Sequence, residues 1–316
     1  MELICPVCGE TLHRSEREYR CENRHSFDIA RQGHVNLLVV QQKKSLHPGD
    51  TREQVLSRRA FLEGGFYEPI ADALCDAARE AGAEGPILDV GCGEGYYCSR
   101  LAKVLGAELM GLDISKEAVR CAAAKYKDAS WICGTAAHLP VKDGSVQTLT
   151  SLFALTLPEE FSRVLASDGL YFQVLAAQDH LLGLKSIIYP ELKFKEKDSV
   201  PELAGFERIK TVPIRFTFTV EGDAVQQLLS MTPHVYRISK AGAEALKEGG
   251  GDGSVVVSVL HDLAGVVKTG LGSADGKHRN TADQITYVNN DQIAKTVQHL
   301  HRRGIVRKNI AHGNTS

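Results

Sequence analysis

The chain has 316 residues, with 37 Lys+Arg against 39 Asp+Glu and 43% hydrophobic residues. That length holds roughly two domains of about 150 residues each, and ordinary apolar content with a net charge of only −2 excludes a wholly disordered chain. No apolar run approaches the about 20 residues of a membrane helix, so no membrane partner is expected.

The opening MELICPVCGE is no secretory signal. Eight cysteines in a chain this long read as thiols of a reducing cytoplasm, not as a disulfide scaffold. Charge is placed unevenly: residues 1–263 carry −7 and residues 264–316 carry +5, so a neutral total conceals a local basic surface.

Residues 1–40 contain Cys5-x2-Cys8-x12-Cys21-x3-His25. Three thiolates and one imidazole in two close pairs suit a four-coordinate site, and sulfur with nitrogen favours Zn2+ over calcium or magnesium. With all four positions filled by protein, the zinc is expected to be structural and to stabilise a segment poor in large apolar residues. Gly9 permits the tight turn after the first pair. Residues 41–82 read as a polar link followed by two helical patterns, the first capped by Thr51 with Gln54 three residues later.

Residues 83–262 alternate short apolar runs with helical patterns, as a largely parallel α/β sheet does. Pro86–Val90 reads as a buried strand, and Gly91-Cys-Gly93-Glu94-Gly95 leads from it into a helix. Glycines there allow a sharp strand-to-helix turn and close approach of a nucleotide-like ligand. A second strand, Glu108–Leu112, ends at Asp113, placed to accept hydrogen bonds from ribose hydroxyls. The pattern Asp89-x-Gly91-x-Gly93-x-Gly95 is not a GxGxxG dinucleotide fingerprint. It resembles motif I of S-adenosylmethionine-dependent methyltransferases of the Rossmann-like class. Trp131–Cys133 then reads as a third strand, Ser145–Ala154 as a fourth, Pro158–Leu165 as a helix and Gly169–Leu175 as a fifth strand. Residues 263–316 read as a basic C-terminal extension with one helix, Asp291–Arg303.

The finger joined to this loop resembles the 23S rRNA (guanine-N1)-methyltransferases of the RlmA/RrmA type, tylosin-resistance relatives included. The likeness runs through CPVCGETL, RHSFDIARQGHVNLL, HPGDTREQVLSRRAFLEGGFYEPI, VGCGEGYY and LLSMTPHVYR, over roughly residues 1–262. It implies an α/β protein: a Rossmann-like class I S-adenosylmethionine methyltransferase core (83–262) with a small N-terminal zinc-finger module that recognises RNA. It implies zinc at Cys5, Cys8, Cys21 and His25. It also implies S-adenosylmethionine contacts from Tyr67, Gly93, Glu94 and His180, beside Asp89, Gly91, Gly95 and Asp113 of the loop and second strand.

The implied partner is 23S rRNA, and the implied reaction is methylation of a hairpin-loop guanine. Guanine N1 lies on the Watson–Crick edge, so its base must be unpaired or flipped out. Phe153 could stack on it. N1 also carries a proton; Asp28, Glu94 and His180 are candidate bases, none singled out. RNA affinity would come from Arg14, Arg17, Arg20, Arg24 and Arg31, with Lys43, Lys44, Arg58 and Arg59, although such charges are commonly a solvated face. A homodimer is compatible with the family but has no surface pattern behind it here. Two departures stand out. Phe153-Ala154-Leu155 replaces the family's aromatic-Ala-Pro, and residues 264–316 lie outside the likeness. A small-molecule methyltransferase and a catalytically silent RNA-binding protein stay open as other readings.

Overall fold

Thr51 closes the capping box that its spacing predicts. Its Oγ1 accepts from the Gln54 N–H at 3.3 Å, and the Gln54 Oε1 accepts from the Thr51 N–H at 3.0 Å. The computed structural model describes residues 1–43, 45, 46, 48–177, 180–192, 200–248 and 254–268. Lys44 and the helix read at 291–303, with the rest of the basic extension from 269 on, lie outside the described residues.

In chain order, β1 (His13–Arg14), β2 (Glu18–Arg20) and β3 (Ser26–Asp28) make the antiparallel sheet of the finger, followed by β4 (His34–Asn36). Next come α1 (Arg52–Glu63) and α2 (Glu68–Glu80). The alternating core consists of β5 (Ile87–Val90), α3 (Tyr96–Leu105), β6 (Leu109–Asp113), α4 (Lys116–Lys125), β7 (Ser130–Cys133), β8 (Val146–Leu152), α5 (Pro158–Val164) and β9 (Leu165–Ala176). Beyond it lie α6 (Leu182–Ile188), β10 (Phe206–Glu221), α7 (Asp223–Ser230), α8 (Lys240–Glu248) and β11 (Ser254–Lys268).

The main sheet has the order β10-β11-β9-β8-β5-β6-β7-β4. Neighbours from β9 through to β4 are parallel, and β11 is antiparallel to both β9 and β10. All four residues of β5 are buried, as a central parallel strand covered on both faces requires. From β5 the chain steps outward through β6 and β7, then returns to β8 on the other side. That reversal opens a crevice at the C-terminal ends of β5 and β8, where α/β sheets bind ligands. No helix among the described residues is long and apolar enough to cross a membrane.

Several boundaries differ from those read in the sequence. Within the residues read as the finger module, β4 pairs with β7 as an edge strand of the catalytic sheet. Three residues are too few for an alternating pattern to register. The fourth strand stops at Leu152 because Phe153 turns into the left-handed region at φ 57°. The fifth begins at Leu165, directly from the last turn of α5. The final strand runs to Lys268 and carries the catalytic sheet past residue 262. Its apolar run is interrupted by His261 and Asp262, polar residues that are buried in pairing with β9 and β10.

Candidate active site and metal centre

Two tight turns build the metal centre. Gly9, at φ 79°, lets its N–H donate to the Cys5 carbonyl at 2.8 Å. Arg24 takes φ 63° in the second turn, where its N–H donates to the Cys21 carbonyl at 2.9 Å. One ligand atom from each of Cys5, Cys8, Cys21 and His25 then lies within 4.8 Å of all the others. Tetrahedral zinc, with bonds of about 2.3 Å to sulfur and about 2.0 Å to nitrogen, sets ligand separations of about 3.6–3.8 Å. Cys8 Sγ is 3.7 Å from Cys21 Sγ, and His25 Nδ1 is 3.6 Å from Cys5 Sγ and 3.4 Å from Cys21 Sγ. The donor set therefore fits zinc in both chemistry and size. The finger is not free-standing: Leu3, Cys5, Leu12 and Cys21 share one apolar cluster with Leu88, Met110 and Ile132 of the catalytic sheet.

The glycine loop sits at the crevice. The Gly91 and Cys92 N–H groups donate to the Leu112 carbonyl at 2.8 and 3.0 Å, tying the loop to the end of β6. Gly91, Gly93 and Gly95 all have positive φ (81°, 56° and 84°). A Cβ at Gly91 would lie 2.5 Å from the Ala154 Cβ, and one at Gly95 would lie 2.5 Å from the Trp131 ring. At Gly93 the nearest atom would be Arg58 Nη1 at 3.9 Å. Gly93 alone thus leaves open space on the crevice side.

Asp113 Oδ2 accepts the Gly93 N–H at 2.9 Å, and Oδ1 accepts the Ser115 N–H at 2.7 Å. The Gly93 amide is therefore engaged within the protein, and what the glycine offers the crevice is space. Each Asp113 oxygen keeps a further lone pair for a ligand hydroxyl. Burial pushes the Asp113 and Glu94 carboxyls up, against the pull of the nearby Arg58 guanidinium. Asp89 lies beneath the loop, where its Oδ1 accepts from the Thr150 hydroxyl at 2.7 Å.

Burial holds the Asp89 carboxyl at about 6. A raised carboxylate pKa favours folding fully below the unfolded value of about 3.9 and loses that advantage as pH rises through about 6. Wild-type stability is expected to fall by about 3 kcal/mol across this window from Asp89, and Asp89→Asn is expected to flatten the fall. Denaturant midpoints measured from pH 4 to pH 7 check this, and identical slopes in the two proteins would count against it.

Arg58, expected as an RNA-facing cation, turns inward. It pairs with Asp50 at 2.5 Å, and Asp50 is held in turn by the Ser115 hydroxyl, which donates to its carbonyl at 2.7 Å. Arg59 pairs with Glu63 at 2.9 Å. The five finger arginines (Arg14, Arg17, Arg20, Arg24 and Arg31) and Lys43 are exposed. Asp28 lies in the finger sheet opposite Glu18.

At the ends of β8 and β9 the rings gather. Tyr67, at the start of α2, is buried edge-on to Phe61, Phe216 and His261. The Phe153 ring is 45% exposed and lies 6.1 Å from the Tyr97 ring and 4.7 Å from the His261 ring. The His180 and His261 rings are 4.2 Å apart. Leu155, in the proline's place, is 75% exposed, and its carbonyl accepts from the Ser151 hydroxyl at 3.5 Å. The sequence points to Arg58 only as an RNA-contacting cation, not as a neighbour of the glycine loop, and it does not point to His261. Arg58 sits in an ordinary helical pattern, and His261 reaches the site on a strand whose end the pattern concealed.

Residues 87–169 match a family described as a methyltransferase domain, and with the loop and sheet order they place the core among class I S-adenosylmethionine-dependent methyltransferases. Residues 3–46 match the family described as "RlmA, N-terminal", a zinc ribbon. The 23S rRNA (guanine(748)-N(1))-methyltransferase of Streptomyces fradiae is 36% identical over 243 residues, covering 73% of this chain and 84% of its own length. The "Putative 23S rRNA (guanine-N(1)-)-methyltransferase YxjB" of Bacillus subtilis (strain 168) is 29% identical over 259 residues, covering 77% of this chain and 90% of its own. A demethylmenaquinone methyltransferase of Chlorobaculum tepidum is 27% identical over 147 residues, only 44% of this chain and 59% of its own length. The chain belongs to the 23S rRNA (guanine-N1)-methyltransferase family.

Proposed function

We propose that this chain transfers a methyl group from S-adenosylmethionine to N1 of an unpaired, hairpin-loop guanine in 23S rRNA, acting in the cytoplasm. The observation that carries the reading is the fusion of the zinc ribbon to the donor-binding sheet, with finger and sheet sharing one apolar cluster. S-adenosylmethionine, when bound, supplies an electrophilic methyl on a sulfonium. Asp113 would hold its ribose hydroxyls and Glu94 its ammonium, with Gly91, Gly93 and Gly95 giving backbone access, Asp89 supporting the loop from below, and Tyr67 and His180 bordering the methionine end. Cys5, Cys8, Cys21 and His25 would hold the structural zinc. Phe153 would stack on the target base, and the exposed finger arginines would contact phosphates.

Transfer of labelled methyl groups to naked 23S rRNA, set beside a metabolite pool, tests the reading, and mass-spectrometric mapping identifies the modified guanine. Label entering only small molecules would overturn it. Asp113→Ala is expected to weaken S-adenosylmethionine binding at least tenfold, about 1.4 kcal/mol, because it also leaves the Gly93 and Ser115 N–H groups without their acceptor. Asp113→Asn should do little better, since its amide NH2 would face one of those two donors. Equilibrium binding of the donor checks both variants; wild-type affinity in Asp113→Asn would remove the carboxylate from the site.

A further inference from the structure

Seven buried side-chain polar atoms lack a hydrogen-bond partner among the described residues: His34 Nδ1, Tyr97 Oη, Ser99 Oγ, Gln173 Nε2, His180 Nδ1 and both ring nitrogens of His261. Four of the seven belong to Tyr97, His180 and His261. These residues are linked through ring contacts, His180 to His261 at 4.2 Å, His261 to Phe153 at 4.7 Å, and Phe153 to Tyr97 at 6.1 Å. An unpaired buried polar atom costs about 1–3 kcal/mol, so several in one place, beside the half-exposed Phe153, call for a polar partner that binding would supply. The proposed donor site takes up His180, which borders the methionine end, and leaves Tyr97 Oη and both ring nitrogens of His261 without a role.

We propose that His261 accepts the N1 proton of the target guanine. This rests on the reading of the chain as a guanine-N1 methyltransferase. His261 is preferred over His180 because neither of its nitrogens makes a well-formed hydrogen bond among the described residues, the Leu175 backbone being its one weak partner, and because it is borne on a strand paired on both sides. Its ring lies directly against Phe153, the residue placed to stack on the base, whereas His180 sits on a turn behind it.

As the bond from N1 to the methyl carbon forms, the carbon–sulfur bond breaks with its electron pair kept on sulfur. The N1 proton passes to the unprotonated nitrogen of His261 and from there to solvent. Burial holds the His261 imidazole at about 4 and the His180 imidazole at about 2, so both are neutral at working pH. After burial, the Leu175 backbone and Asp262 pull the His261 imidazole up and Arg215 pushes it down, while His261, Lys185 and His234 all push His180 down. A weakly basic acceptor suffices here, because N1 loses its hold on the proton as the new bond forms.

His261→Phe keeps ring size and removes the acceptor. In the full chain it should hold S-adenosylmethionine and naked 23S rRNA within about threefold of wild type, measured in separate titrations, while kcat falls about 10²–10⁴-fold. His261→Ala should be rescued at least tenfold by added imidazole and not by pyrrole, which fills the same space without a basic nitrogen. Its log kcat should rise with pH, as solvent takes over the proton, where the wild-type profile is flat. A kcat in His261→Phe within threefold of wild type, or equal rescue by pyrrole, would overturn the assignment. If wild-type protein fails to methylate 23S rRNA at all, the failure falls on the proposed function instead.

Discussion

Gly91→Ala is expected to destabilise the protein by about 2–5 kcal/mol and to abolish measurable donor binding. The residue sits at φ 81°, where a Cβ costs about 1–2 kcal/mol, and that Cβ would come within 2.5 Å of the Ala154 Cβ. Overpacking of this kind costs about 1–3 kcal/mol more. Neither neighbour can yield easily. Gly91 is tied by its N–H to the Leu112 carbonyl, and Ala154 follows Phe153, whose N–H donates to the Val174 carbonyl at 3.0 Å. The glycine loop and the turn at Phe153-Ala154 therefore meet through two small residues, and enlarging one displaces the other. Urea unfolding and donor titration read the two effects separately, and a variant within about 0.5 kcal/mol of wild type would show that the loops give way freely. Gly93→Ala, with only Arg58 Nη1 at 3.9 Å, should retain more stability while still crowding the donor.

Removing the zinc should lower the melting temperature of the whole chain by about 10 °C or more, at about 2–4 °C per kcal/mol. Structural zinc contributes about 10–16 kcal/mol of apparent binding energy in small fingers, and here the finger is not insulated from the core. Leu3 and Leu12 pack with Leu88, Met110 and Ile132, and the Ile4 N–H donates to the Pro140 carbonyl at 3.0 Å. Chelation, or Cys21→Ser, would loosen that shared face and uncover the β7 edge that β4 occupies. Scanning calorimetry with and without chelator should show one transition moving as a unit. Two transitions, with the upper one unmoved, would mean that the finger folds on its own account.

Much of the site is local in sequence, and that part was readable. The metal ligands fall within twenty-one residues, and the glycine loop and Asp113 within twenty-five. Turn geometry and ligand chemistry constrain such stretches without help from the rest of the chain. The capping box at Thr51 belongs to the same class. What was not readable depends on distant segments. Arg58 looks like any helical surface cation until the link folds back and sets it against Asp50 and the loop. His261 looks like the end of an apolar run, because its burial comes from β9 and β10 on either side. Strand β4 is three residues long and exists only because β7 offers an edge. The Phe153 turn is likewise invisible in composition: its left-handed backbone is imposed by the loop between β8 and α5.

The placement of β4 sets a dimension. Ile29 bridges to Val35 and the Ala30 N–H donates to the His34 carbonyl at 2.8 Å, so finger and edge strand are stitched together across a four-residue bend, and the edge strand is hydrogen-bonded into the sheet that carries the donor loop. The finger cannot tilt without tearing this ladder. The exposed finger arginines and the glycine-loop crevice are thereby joined through one hydrogen-bonded sheet. On the proposed function, a hairpin substrate has to present its stem to the finger and its flipped base to the crevice at the same time. Lengthening that stem by a base pair should spoil a good substrate even with the loop sequence untouched.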